Sequence, residues 1–202
     1  MMNELFSNPA TLFTLIAILI LLCAAAKIRH VRLTAAVLVQ TALLSAMTII
    51  LTQLHLFQMP QGGDVGIGTM IPLILLAYCY GAVPALLAGF LCGILSLLTN
   101  PYIYHPVQVL FDYPFPFMAM SAIVLFRHHL YLGIAAAYLL NFLCHFASGV
   151  IFFAAFAPEG MSPALYSAIY NGATILPEFV ICCLILRFLP LKRLAMAMKG
   201  SR

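Results

Sequence analysis

Long apolar runs separated by short polar connections dominate the chain. The runs cover roughly 10–26, 33–57, 66–80, 82–99, 106–126, 130–156 and 164–189. None alternates with period two, and most approach the ~20 residues an α-helix needs to cross a bilayer. In hydrocarbon only helices and closed barrels satisfy every backbone N–H and C=O. The pattern therefore predicts an all-α fold, a polytopic membrane bundle of about seven helices. The third run is short and holds Pro72, which reads as an interruption. The fifth holds Pro106, Pro114 and Pro116 and is predicted to be bent or broken.

Composition agrees with this pattern. Of 202 residues, 65% are hydrophobic and 7% charged, against roughly 25% charged in soluble domains. So few charges cannot cover a globular surface with hydrated groups, and lipid is the solvent that fits. The six cysteines all lie in apolar runs and read as small buried hydrophobes. The first run lacks the basic flank and cleavage site of a signal peptide, and is expected to stay as a helix.

The net charge of +4 would suit nucleic acid, but its placement excludes that partner. The basic residues are Lys27, Arg29, Arg32, Arg127, Arg187, Lys192, Arg193, Lys199 and Arg202. Seven helices with the amino terminus outside put all of them on the cytoplasmic side, as the positive-inside bias requires. The opposite connections hold Glu4, Asp64 and Glu159. The carboxyl terminus is then cytoplasmic. Two small-residue stripes mark close helix packing: Ala85, Gly89 and Gly93, and the pair Ala42 and Ala46. The second pair has a further reading, as a docking surface for a partner protein.

Polar residues gather toward the outer helix ends. The three outer connections are 54–68, 99–117 and 156–172; the first is rich in Gly and Pro and has the character of a lid. His105, Gln108 and Asp112 share one helical face. So do Asn141, His145 and Ser148, and Asn171, Thr174 and Glu178. Three polar faces converge inward, because facing lipid would leave them unpaired. Aromatic walls come from Tyr102, Tyr104, Tyr113, Phe153, Tyr166 and Tyr170. A carboxylate among aromatic faces suits a flat, cationic or amine-bearing ligand. Plainer roles stand beside these: His145 as a bond between helices, Glu178 as a partner for backbone groups loosened by Pro177. The chain has no HExxH, no GxSxG and no phosphate-binding loop, so it reads as a binding or transport protein and not as an enzyme.

The stretches MPQGG (59–63), HPVQVLFDYP (105–114) and HFASGVIFFAAFAPEGMSPALYSAIYNG (145–172) resemble the thiamine-binding S-components of energy-coupling factor (ECF) transporters, the ThiT/YuaJ family. The resemblance implies a six-helix bundle with a high-affinity thiamine site near the outer face. It also implies a transmembrane coupling subunit and two cytoplasmic ATPases as partners. Thiamine is then the transported ligand, with no cofactor, and lipid of the bacterial cell membrane surrounds the bundle. By motif, Asp112 takes the family's acidic position before Tyr113 and would bind the aminopyrimidine. His145, Tyr166, Asn171, Phe153 and Tyr102 take the other ligand positions. A loop tryptophan of some relatives has no counterpart, because the chain contains no Trp; Phe57 or His55 would stand in. Ala42 and Ala46 match the family's docking pair against the coupling subunit. The resemblance divides the chain into an additional amino-terminal helix (1–32), a six-helix binding domain (33–190) and a basic tail (191–202). Two alternatives remain: a thiamine precursor or related heterocycle as ligand, and a solitary proton-coupled carrier using Asp112 or Glu178.

Overall fold

The computed structural model describes residues 9–29, 33–60, 62–126 and 128–200. Glu4, Arg32, Arg127 and Arg202, and the side chains of Lys27 and Arg29, lie outside the described residues. The chain runs α1 (Pro9–Arg29), α2 (Ala35–Thr52), a hairpin of β1 (His55–Gln58) and β2 (Asp64–Gly66), α3 (Ile71–Tyr80) and α4 (Ala82–Thr99). It continues through α5 (Pro106–Asp112), α6 (Pro114–Ala119), a 3-10 stretch (Met120–Phe126), α7 (Leu130–Phe152), α8 (Pro163–Phe188) and α9 (Leu191–Gly200). Among the described residues, five stretches are long and apolar enough to cross a membrane: 35–52, 82–99, 106–126, 130–152 and 163–188. Apolar helix over 14–26 and 71–80 is shorter. The fold is therefore an all-α membrane bundle carrying one small hairpin.

Each helix shows why it faces as it does. Thr34 Oγ1 caps α2 by accepting from Val37 N at 3.4 Å. The buried face of α2 is Val37, Thr41, Ser45 and Thr48. Thr41, Ser45 and Thr48 donate to carbonyls of the preceding turn at 2.7, 2.8 and 3.0 Å, which satisfies them without a second helix. The other face exposes Leu38, Val39, Leu43 and Met47 to lipid. The short helix α3 is the centre of the core, with Leu73 and Leu76 fully buried. Gly81, at φ +93°, turns the chain directly from α3 into α4, a conformation that other residues rarely adopt.

Several sequence expectations change here. Pro72 does not interrupt a helix; it sits in the first turn of α3, where its missing N–H costs nothing. The helix expected over 33–57 ends at Thr52, and the apolar residues after it form β1. The helix expected from 66 begins only at Ile71, because 64–66 pair with β1. The stretch 130–156 is helical to Phe152 and then tightens into a 3-10 turn over Ala154–Phe156. The fifth run breaks at Tyr113, since Pro114 has no N–H to continue α5.

The break is held from two sides. On one, Gly89 and Gly93 of α4 lie against backbone: a Cβ on Gly89 would come within 2.7 Å of the Met118 Cα, and one on Gly93 would meet the Pro114 Cα. On the other, Ala17 of α1 is buried in a cluster with Val107, Phe111, Phe115, Met118 and Phe152. Helix α1 thus braces the apolar back of α5–α6. At the opposite end of the bundle, α9 folds back on α2 and α3, where Gln40 Nε2 donates to the Met198 carbonyl at 3.0 Å.

Candidate functional site

A cavity of about 270 Å³ opens between the hairpin, α5, α6, α7 and α8. Its floor is set by the break after α5. His105 caps that helix, its Nδ1 accepting from Val107 N at 3.1 Å, and its ring stacks on Phe152 at 5.0 Å. His105 therefore serves the helix start, while Gln108 and Asp112 of the same face line the cavity.

Gln108 is fully buried and uses both ends of its amide. Its Oε1 accepts from Tyr104 N at 3.0 Å, and its Nε2 donates to the Tyr102 carbonyl at 3.1 Å and to Asp112 Oδ2 at 2.5 Å. One side chain thereby ties the 100–105 connection to the carboxylate. The other Asp112 oxygen lies 3.5 Å from His145 Nδ1 on α7. Tyr113, the next residue, ties down the same connection. Its hydroxyl accepts from Tyr102 N at 2.7 Å and donates to the Asn100 carbonyl at 2.9 Å. This seats the Tyr102 ring against Phe153, 5.9 Å between centroids.

Helix α8 starts at Ser162, whose Oγ accepts from Leu165 N at 3.2 Å. That start sets Tyr166, Tyr170 and Asn171 along the cavity. Asn171 Nδ2 is committed to the protein: it donates to the Ser167 carbonyl at 2.9 Å and to the His145 carbonyl at 3.3 Å. Its oxygen is left as an acceptor for a ligand. Gly149 makes room for this contact, since a Cβ there would collide with the Ser167 hydroxyl.

The hairpin forms the remaining wall. Tyr170 accepts from Gly63 N at 3.2 Å, pinning the hairpin turn to α8. Tyr170→Phe is expected to raise the dissociation rate of a bound ligand about 2- to 10-fold, the worth of one neutral hydrogen bond. Stopped-flow release kinetics would check this. His55, Gln58 and Asp64 line the cavity from the same hairpin. Burial pushes the Asp64 carboxyl above its ordinary range, and the charges of His55 and His145 partly counter this.

Asp112, Tyr113, His145, Phe153, Tyr166, Asn171 and Tyr102 therefore meet in one cavity. Phe57 does not line it and is mostly exposed on β1. Strand alternation alone would put Phe57 on the face of His55, but the pairing shifts register between them, and such a bulge re-aims the side chains. Ala42 and Ala46 lie elsewhere, on the exposed face of α2. Asp64, in sequence no more than a charge of the outer connection, also lines the cavity; its position among Gly62, Gly63, Gly66 and Gly68 in an otherwise uncharged connection is the available signal. Chemically, the cavity offers carboxylate and amide acceptors among aromatic rings, an arrangement for binding a flat ligand rich in donors.

A family model described as "Thiamine transporter protein (Thia_YuaJ)" matches residues 38–198. The chain is 32% identical over 168 residues to the thiamine transporter ThiT of Bacillus subtilis, covering 74% of this chain and 87% of that protein. It is 28% identical over 160 residues to the thiamine transporter ThiT of Lacticaseibacillus paracasei, covering 69% and 79%. A solved structure of ThiT from Listeria monocytogenes shares the fold with TM-score 0.67 at 22% identity, covering 82% of this chain and 94% of that one.

Proposed function

Because the chain belongs to the thiamine transporter family Thia_YuaJ, a family of multi-pass membrane transport proteins and not of enzymes, we propose that it is the high-affinity thiamine-binding subunit of an ATP-driven ECF uptake transporter. The observation that carries this reading is Asp112. It is a carboxylate oriented by Gln108, set beside His145 and open to an aromatic cavity. Its free lone pairs would accept from the ligand's amino group, the Asn171 oxygen would take a second donor, and the Tyr and Phe rings would face the thiazolium cation.

ATP hydrolysis falls to partners in this reading, since the sequence holds no phosphate-binding loop. The exposed pair Ala42 and Ala46 is the proposed contact for the transmembrane coupling subunit. Two small residues one turn apart on a lipid-facing helix admit another backbone closely. The proposed division is an additional first helix (1–32), a binding domain over 33–190 and a basic tail (191–202); the family match runs from 38 to 198, so it begins after α1 and extends into α9 of the tail. The amino terminus is assigned outside and the carboxyl terminus to the cytoplasm, supported by the distribution of Lys and Arg. Isothermal titration of the detergent-purified protein with thiamine tests the reading. Saturable one-to-one binding is expected, and a folded sample that shows none would overturn it. Competition by the isolated pyrimidine half, at equal strength, would favour a precursor as the true ligand.

A further inference from the structure

The cavity contains acceptors that the Asp112 cluster does not use. Glu178, on α8 beyond Pro177, is 8% exposed and lines the cavity, yet its Oε1 has no hydrogen-bond partner. Thr69, which follows the hairpin and is 4% exposed, also lines the cavity with its Oγ1 unpartnered. The two atoms flank one point. A Cβ on Gly66 would collide with Thr69 Oγ1 and lie 3.2 Å from Glu178 Oε1. Asp64, at the start of the same strand, also lines the cavity and acts on Glu178 electrostatically. Buried polar atoms are nearly always paired, because an unpaired one has lost its water for nothing. The Thr69 hydroxyl and the backbone N–H groups of Thr69 and Met70 lie beside the Glu178 carboxylate, yet neither Glu178 Oε1 nor Thr69 Oγ1 completes a hydrogen bond of good geometry; with a second carboxylate beside them, this stretch of cavity wall keeps lone pairs that can accept a ligand's hydrogen bonds.

We propose that Glu178, Thr69 and Asp64 form a second recognition pole, which takes a hydroxyl or amine donor at the end of the ligand remote from Asp112. This rests on the thiamine reading above, and for thiamine the donor is the hydroxyl of its ethyl arm. The ligand is then held at two ends by acceptors of separate origin: α5 with α7 at one, the hairpin with α8 at the other. Because Asp64 and Thr69 belong to the hairpin segment and Glu178 to the bundle, a donor placed between them also links the hairpin to α8.

The test is a thermodynamic cycle between protein and ligand. Titrations would compare thiamine with the analogue whose terminal hydroxyl is replaced by hydrogen, on the full-length wild type, Glu178→Met and Glu178→Gln. The wild type is expected to prefer thiamine at least tenfold. Glu178→Met keeps the volume but removes the acceptor, and is expected to reduce that preference to less than threefold; Glu178→Gln keeps an acceptor without charge and is expected to fall between. Should Glu178→Met fail to fold, Thr69→Val supplies the second measurement, with a reduced preference expected there too. A preference unchanged in every folded variant, or absent in the wild type while thiamine binds, overturns the pole and leaves the thiamine reading standing. A folded wild type that does not bind thiamine overturns both.

Discussion

Replacing Asp112 by Ala is expected to weaken thiamine binding by about 10- to 150-fold, the equivalent of ~1.5–3 kcal/mol for losing hydrogen bonds to a charged group. The carboxylate is already held before the ligand arrives. One oxygen receives Gln108 Nε2 at 2.5 Å and the other lies 3.5 Å from His145 Nδ1. The side chain is therefore held in place without being saturated, since an ionised carboxylate has about four lone-pair sites. Truncation removes the ligand's acceptor and leaves the buried Gln108 amide with an N–H that has lost its acceptor. Asp112→Asn separates the two effects. It keeps the shape and an acceptor oxygen but loses the charge, so a smaller loss than in Asp112→Ala is expected. Titration calorimetry on the three proteins would measure the series. Equal affinities in all three would mean that the ligand does not use this carboxylate, and would move the site elsewhere.

The parts of this site that were legible in the sequence are those in which helical periodicity alone decides what faces what. Spacing puts His145 on α7 and Asn171 on α8 on faces that converge, and they touch through the Asn171 amide and the His145 carbonyl at 3.3 Å. Asp112 with Gln108 is a second case, a helical pair four residues apart joined directly. What periodicity misses is local covering and local breaking. His105 shares the face of Asp112, yet it is spent on capping α5, a role that its position just before Pro106 foreshadows. The hairpin was hidden because HLFQ continues the apolar run of α2, and hydropathy does not register a change from helix to strand. Phe57 shows the limit within a strand: one bulge reverses which residues face inward, and a bulge has no reliable signature in a four-residue segment. Glu178 is visible as a membrane carboxylate, but spacing does not show that it lies beside Thr69 and Met70 at the start of α3, nor that its Oε1 is buried there without a well-formed hydrogen bond.

The small-residue stripe on α4 supports the other large expected effect. Gly93→Val is expected to destabilise the folded protein by ~1–3 kcal/mol, the usual cost of overpacking, and to weaken thiamine binding at least tenfold as well. The reason lies in what the glycine faces. A Cβ at this position would meet the Pro114 Cα and lie 2.6 Å from the Pro114 N, and one at Gly89 would lie 2.7 Å from the Met118 N. These are backbone atoms, so no side chain can rotate aside. The α5–α6 segment cannot simply retreat, because Phe111, Phe115 and Met118 are packed on its far side against Ala17 and Phe152. The strain must therefore move Tyr113 and Pro114 along their own axis. Asp112 is the next residue, and the Tyr113 hydroxyl fixes both the Tyr102 N–H and the Asn100 carbonyl. A shift of under an ångström there misplaces the carboxylate and the aromatic wall together. Gly172→Ala is the matching control, on α8 with nothing within 4 Å of its would-be Cβ. That substitution is expected to be neutral or stabilising by up to about 1 kcal/mol, as for Gly replaced within a helix. Thermal melting in detergent, followed by titration on whichever fraction stays folded, would distinguish the two positions. A Gly93→Val protein that melts and binds like wild type would show that α4 does not set the break, and that proline alone holds Asp112 in place.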